Sequence, residues 1–347
     1  MSERSGAAAS GPDGLADGVG VSRLGGKTPP QGAAERANHE AMSEVLVALD
    51  VGGTGMKCAL VSPSGEIVHA ERHATGADRG PEAVTATILD VAEGLAGKAR
   101  ADGLRPVAAG VAVPGVVDET RGMAIWSSNV GFRDVPLRDL VSARLDLPAA
   151  LGHDVRAGGL AEARLGAGRG AAHVLFVAIG TGIAAAHIVA GRGFAGAHGA
   201  AGEVGHVVVR PGGTPCGCGA RGCLEAEASA AGVARRYASL AGTPATAAEV
   251  VAKAAAGDQV AQHVWRLTIE LLAEGLLTAQ ALYDAEVIVL GGGLAEAGDV
   301  LLDPLRLAVR ERLTFHREPR LARATLGDEA GCVGAALLAL DLVGSPA

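Results

Sequence analysis

Twice in this chain of 347 residues an unbroken apolar run of strand length ends in a glycine loop and then resumes as a strand. The first run, Val45-Leu46-Val47-Ala48-Leu49, enters Asp50-Val51-Gly52-Gly53-Thr54-Gly55. Lys57 to Val61 continues as a strand, Ser62-Pro63-Ser64-Gly65 reads as a tight turn, and Glu66 to Ala70 returns as the hairpin partner. The second run, Val174 to Ile179, enters Gly180-Thr181-Gly182, goes on as a strand through Val189 and turns at Gly191-Arg192-Gly193. A continuous apolar run of this length reads as a buried strand. Its repetition with the same sequel predicts an internal duplication: two similar lobes, each opening with strand, phosphate-sized loop and hairpin, facing one another across a cleft.

The rest of the chain follows an α/β grammar. A helix from about Pro81 puts Val84, Ile88, Val91 and Leu95 on one face, and Val107 to Val113 is a buried strand ending at Pro114-Gly115. Val287 to Leu290 runs into Gly291-Gly292-Gly293 ahead of a helix near Val300. A chain this long exceeds one small core, so two lobes or one large α/β unit are expected. Aromatic residues make up only 2% of it, which leaves Val, Leu, Ile and Ala to fill closely packed interiors.

Charge and hydropathy narrow the function. A formal net charge of -8 speaks against a general nucleic-acid binder, which presents a basic stripe to phosphates. The apolar stretch Ala335 to Val343 is interrupted by Asp341 and is too short to cross a bilayer. The first forty or so residues lack a basic start followed by an apolar run, so no secretory signal is expected and the reading is cytoplasmic. Residues 1–42 are rich in Gly, Ala, Ser and Pro without apolar periodicity and read as a disordered tail, with translation starting at Met1 or at Met42.

Glycine loops let backbone N–H groups approach phosphate oxygens, and a threonine hydroxyl adds a donor. One Gly-Gly-Thr after a strand reads equally as a plain tight turn; two glycine loops at equivalent points of a repeated unit point to phosphate. Asp50, at the end of the first strand, suits magnesium, which keeps much of its water and prefers carboxylate oxygens. Further along, His206 is followed by Cys216, Cys218 and Cys223 within one glycine-rich segment. One imidazole and three thiolates make a closed Cys₃His set of the kind that binds structural zinc, the alternative being three unrelated thiols and a surface histidine. Cys58 and Cys332 read as core thiols.

Asp50-Val51-Gly52-Gly53-Thr54 with Lys57, Gly110-Val111-Ala112-Val113-Pro114-Gly115, Gly180-Thr181-Gly182 and the Glu203-Val204-Gly205-His206 to Cys223 segment together resemble the ROK family of kinases and sugar-responsive repressors. The resemblance runs from about Leu46 to the C-terminus. It implies an actin-like, ribonuclease-H-like duplicated ATPase fold, α/β in class, with ATP and magnesium in a central cleft. Under it, Asp50, Gly52, Gly53, Thr54, Lys57, Gly180, Thr181 and Gly182 serve ATP and magnesium, and Gly291, Gly292 and Gly293 lie against the adenosine. The lobes implied are 43–153, joined by a C-terminal helix over 328–347, and 154–327, carrying a zinc loop over 203–225.

The same resemblance makes Asp154 the general base, although on its residues alone Asp154 also reads as a helix N-cap. The family has Asn-Asp where this chain has His153-Asp154, so His153 departs and the contact to neighbouring ring hydroxyls changes. Gly115, Asn129, Glu203, His206 and Glu225 align with sugar contacts. His206 would serve twice, one ring nitrogen on the zinc and the other on a sugar hydroxyl. A homo-oligomer, dimer or tetramer, is also implied.

The function implied is phosphorylation of the 6-hydroxyl of an aldohexose. Cys223-Leu224-Glu225-Ala226-Glu227 lacks the aromatic residues found there in many bacterial glucokinases, which leans toward N-acetylglucosamine, with glucose and N-acetylmannosamine as alternatives. Polyphosphate is the alternative donor to ATP. A repressor of this family needs a helix-turn-helix ahead of the ATPase-like part, and no helical periodicity precedes Leu46. A filament-forming relative of actin would have no use for the zinc set beside Asp154 and Glu225.

Overall fold

The chain is described by a computed structural model that covers residues 42–344. The tail expected over 1–42 lies, apart from Met42, outside the described residues. In chain order the strands are β1 (Glu44–Val51), β2 (Gly55–Val61), β3 (Ile67–Ala74), β4 (Arg105–Val113), β5 (Val116–Asp118), β6 (Met123–Trp126), β7 (Arg133–Val135), β8 (Ala149–His153), β9 (His173–Ile179), β10 (Ile183–Val189), β11 (Arg192–Gly193), β12 (Val287–Gly291) and β13 (Arg320–Arg323). The α-helices are α1 (Pro81–Ala101), α2 (Leu137–Leu145), α3 (Asp154–Arg164), α4 (Leu224–Ala228), α5 (Ala230–Ala241), α6 (Ala247–Ala255), α7 (Gln259–Tyr283), α8 (Asp299–Arg310) and α9 (Ala330–Gly344).

The expected duplication is visible in strand order. One five-stranded sheet runs β3-β2-β1-β4-β8 and another β11-β10-β9-β12-β13. In each, the first three strands in sequence form an antiparallel meander, and the next two add in parallel beside the first. The two glycine loops fall at the same place, between the first and second strands of each sheet, where Val51 pairs with Met56 and Ile179 with Ile183. A third sheet, β5-β6-β7, has strands of only three or four residues and was not evident from the sequence.

Alternation along the strands sends their side chains to two different cores. Val47, Leu49 and Val51 of β1 pack with Val84, Ile88 and Leu95 of α1, as the helix periodicity predicts. Leu46 and Ala48 face the opposite way, onto Ala335, Ala336 and Ala339 of α9. In the second sheet Leu175, Val177 and Ile179 pack with Ile269, Leu272 and Leu276 of α7, while Val174 and Phe176 face Leu160 and Ala161 of α3.

Helices α3 and α9 meet at backbone distance because the residues between them are small. A Cβ on Gly334 would stand 1.9 Å from the Ala157 carbonyl oxygen, and one on Gly110 of β4 would stand 1.8 Å from that of Ala335. Nearby, the fully buried Glu162 accepts hydrogen bonds from the backbone N–H of Ala167 at 2.9 Å and of Leu326 at 2.7 Å, tying the end of α3 to the segment that leads into α9. Cys58 and Cys332 are buried, as expected of core thiols. Burial pushes the Cys332 thiol up to about 12, and its Sγ donates to the Lys57 carbonyl oxygen at 2.9 Å. Among the described residues no helix is long and apolar enough to cross a membrane.

Candidate active site and metal centre

Strand β8 ends at His153 and α3 begins at Asp154, so the pair sits where a strand hands over to a helix. His153 occupies the N-cap position and Asp154 is the first helical residue. The Asp154 Oδ1 accepts from the Val155 N–H at 2.7 Å and stands 3.4 Å from the His153 Nε2. His153 is buried, and that burial lowers its pKa, so the ring is neutral near pH 7. Its Nδ1 has no hydrogen-bond partner among the described residues. Behind it lies a pair that no motif announces: buried Arg156, whose Nε donates to the Glu119 Oε1 at 2.8 Å and whose Nη1 donates to the Gly199 carbonyl at 2.9 Å. Glu119 also accepts from the His153 N–H at 3.3 Å.

His153 and Asp154 line a cleft of about 740 Å³. The same cleft is lined by Gly115, Asn129, Glu203, His206 and Glu225, so every residue expected to touch the sugar borders one space. Trp126 and Ser128 join them, carried by β6 and the segment after it. Gly115 is confined to glycine, with φ at +105° and the Trp126 carbonyl 2.2 Å from where a Cβ would be.

The second glycine loop, Gly180, Thr181 and Gly182, lines this cleft too, as does Gly292. Glu225 is built against that loop: its Oε2 accepts from the Ile183 N–H at 3.0 Å and would lie 2.4 Å from a Cβ on Gly182. Gly291 and Gly293 flank Gly292 at the end of β12 and do not border the cleft. The first loop lies next to it. Gly52 closes the turn by donating to the Gly55 carbonyl at 2.9 Å, the Thr54 carbonyl accepts from Thr75 at 3.1 Å, and Gly53 packs against the Asn129 side chain.

Asp50, the penultimate residue of β1, has its carboxylate against Gly331, in the first turn of α9. Burial pushes its pKa up to about 6; Lys57 acts in the opposite sense, and the charges of Asp154 and Asp328 raise it further. A carboxylate crowded by two others is a natural partner for a divalent cation. Lys57 does not border the cleft: its Nζ lies 2.7 Å from the Asp328 Oδ1 and 3.9 Å from the Asp50 Oδ2.

Between β11 and α4 the chain folds back on itself to gather four metal-type donors. Val208 bridges to Cys223 and Pro215 to Arg221, while Cys216 N–H donates to the Ala220 carbonyl at 2.8 Å. The donor atoms of His206, Cys216, Cys218 and Cys223 all lie within 4.8 Å of one another. The Cys218 and Cys223 sulfurs are 3.7 Å apart, and the Cys216 Sγ is 3.6 Å from the His206 Nδ1. A tetrahedral ion with Zn–S of about 2.3 Å and Zn–N of about 2.0 Å has edges of about 3.8 and 3.5 Å, close to both separations, so the donor set fits zinc. His206 Nε2 stands 3.8 Å from the Glu203 Oε2.

The model of the ROK family matches residues 46–342. The glucokinase of Halalkalibacterium halodurans is 34% identical over 312 residues, covering 83% of this chain and 92% of that protein. The ROK hexokinase of Thermus thermophilus superposes with a TM-score of 0.75 at 32% identity, over 86% of this chain and 99% of that one. A ROK glucokinase from Streptomyces griseus, solved in complex with glucose and AMPPNP, gives 0.73 at 29% identity over the same shares. With a family match across most of its length and the duplicated sheets of an actin-like ATPase, this chain belongs to the ROK family, as an ATP-dependent sugar kinase.

Proposed function

We propose that this kinase transfers the γ-phosphoryl group of ATP to the 6-hydroxyl of an aldohexose, with glucose as the preferred acceptor. The observation that carries the reading is the shared lining of one cleft by Asp154, Glu203, His206 and Glu225 on one hand and the Gly180 to Gly182 loop on the other. Asp154 Oδ1 is engaged with Val155, which leaves Oδ2 to take the proton from the sugar hydroxyl. The sugar oxygen then attacks the γ-phosphorus, the bond to the β-phosphate oxygen breaks, and ADP leaves. Backbone N–H groups of the glycine loops serve the phosphates. Magnesium, when bound, supplies charge neutralisation at the phosphates, and Asp50 is the residue suited to hold it through water. Zinc held by His206, Cys216, Cys218 and Cys223 would supply a fixed orientation for the His206 ring. With Nδ1 turned to the thiols, Nε2 is the nitrogen free to donate to a sugar hydroxyl.

Glucose is placed ahead of N-acetylglucosamine because of where the atypical stretch after Cys223 falls. Ala226 and Glu227 are buried and do not border the cleft; Glu227 is occupied by Arg236 at 2.5 Å. Their departure from the glucokinase pattern therefore says nothing about room at C2. The glucokinase names among the relatives supply the remaining support. Coupled detection of ADP on glucose, N-acetylglucosamine and N-acetylmannosamine tests the reading. The highest kcat/KM is expected on glucose; a tenfold preference for either acetamido sugar overturns it.

A further inference from the structure

Away from the cleft, a pocket of about 420 Å³ between the turn before Cys216 and helices α5 and α7 is lined by Arg210, Arg235, Arg236 and His263, with Thr214 and Ser239 beside them. Among the described residues no carboxylate borders it, in a chain whose acidic residues outnumber its basic ones by 38 to 30. Glu227 lies fully buried behind the guanidinium groups. It accepts from the Arg236 Nη2 at 2.5 Å and from the Thr214 N–H at 2.6 Å, and stands 3.7 Å from the Arg210 Nη1. Arg235 is held by its own bond to the Ala226 carbonyl at 2.5 Å. Two guanidinium groups thus share one carboxylate, while the third, Arg235, has only a neutral carbonyl as its partner, so positive charge outweighs negative at this pocket.

Two further observations point to an anion as the ligand of this pocket. The Nη1 of Arg236 is buried without a hydrogen-bond partner among the described residues, and a buried charged donor left unpaired is costly. Burial, and with it the charges of Arg210 and Arg235, lowers the pKa of Arg236 in spite of Glu227, so the crowding of like charge is felt at this group. Guanidinium groups fixed by neighbouring bonds, with hydroxyl donors at hand, match the oxygens of a phosphate.

We propose that this pocket is a second anion site, distinct from the cleft, that takes a phosphate-class dianion: inorganic phosphate or a phosphate monoester. The apolar side chains of Leu240 and Leu267 on its wall leave room for the carbon part of a monoester. The test uses full-length kinase with its cleft saturated by AMPPNP and magnesium, so that the glycine loops are occupied. Calorimetric titration with inorganic phosphate is expected to show one saturable site. In Arg235→Gln and in Arg210→Gln, both changes at exposed residues, affinity is expected to fall about tenfold. Arg236→Gln is avoided as the sole variant because it would strip buried Glu227 of its partner. Glucose 6-phosphate binding more tightly than phosphate identifies the sugar monoester as the occupant; equal or weaker binding identifies the free anion. No saturable binding, unchanged affinity in both variants, or acetate competing as well as phosphate overturns the proposal.

Discussion

Asp154 carries two readings that damage the protein differently when the residue is changed. As the proton acceptor, its loss costs about 10²- to 10⁴-fold in rate; as a contributor to the start of α3, it costs about 1 kcal/mol of stability. Its bond to the Val155 N–H can be kept by an amide oxygen. Asp154→Asn is therefore expected to melt normally and to bind glucose and nucleotide, yet to turn over at least a hundredfold more slowly. Retention of most of the wild-type kcat in a folded protein would refute the assignment. Asp50 is a different case, because its titration is coupled to folding. Its pKa lies at about 6 in the folded chain against 3.8 ordinarily, so the folded state holds the proton more tightly. The stability this lends is complete below about pH 4 and is lost as pH rises through 6. Without nucleotide and magnesium, wild type should lose roughly 1 kcal/mol relative to Asp50→Asn between pH 5 and pH 7. Urea midpoints of the two proteins that run parallel over that range would show that Asp50 titrates normally.

At the scale of elements, the loop from His206 to Cys223 has no regular core of its own, and among its contacts the gathering of four metal donors is the most specific. Because His206 and Glu203 border the cleft while the first glycine loop does not depend on this segment, metal loss should reach the sugar before the nucleotide. Elemental analysis is expected to find about one zinc per chain. Cys218→Ser should lose that zinc and most glucose affinity while AMPPNP still binds with magnesium present. Active protein free of zinc would remove the metal from the account. The loop was legible in the sequence because thiols spaced by glycines have few other uses. The hairpins were legible because uninterrupted apolar runs ended in glycines. The β5-β6-β7 sheet escaped notice because its strands are too short to show a period. For Lys57 the motif gave the position in the chain but not the side-chain partner: β2 delivers it to Asp328, an ion pair between residues 271 apart that no local pattern encodes.

Over the whole molecule, the C-terminal helix does work for both sheets. Its Ala335, Ala336 and Ala339 cover Leu46, Ala48, Ala59, Val61 and Ala108 of the first sheet, and its Val333 and Leu337 join the core made by α3 and the second. Through Gly334 it also sits directly on the α3 backbone, just beyond the turn that presents Asp154. A chain ending at Glu329 would leave these faces open. Each large apolar side chain uncovered costs about 1.5–3 kcal/mol, against a total stability of about 5–15 kcal/mol for a typical domain. The truncated chain is therefore expected to lose its cooperative melt as a whole, not to retain one folded half, and to bind neither glucose nor AMPPNP. A milder lesion separates packing from mere length. Gly334→Val must push α9 away from the Ala157 carbonyl, and is expected to lower the melting temperature by several degrees, because overpacking of this kind costs about 1–3 kcal/mol. It should also reduce kcat, since the start of α3 moves with its backbone. A truncated chain that still melts cooperatively and binds nucleotide would show that the second sheet folds without α9, and that the crossing of α3 and α9 does not couple the two sheets.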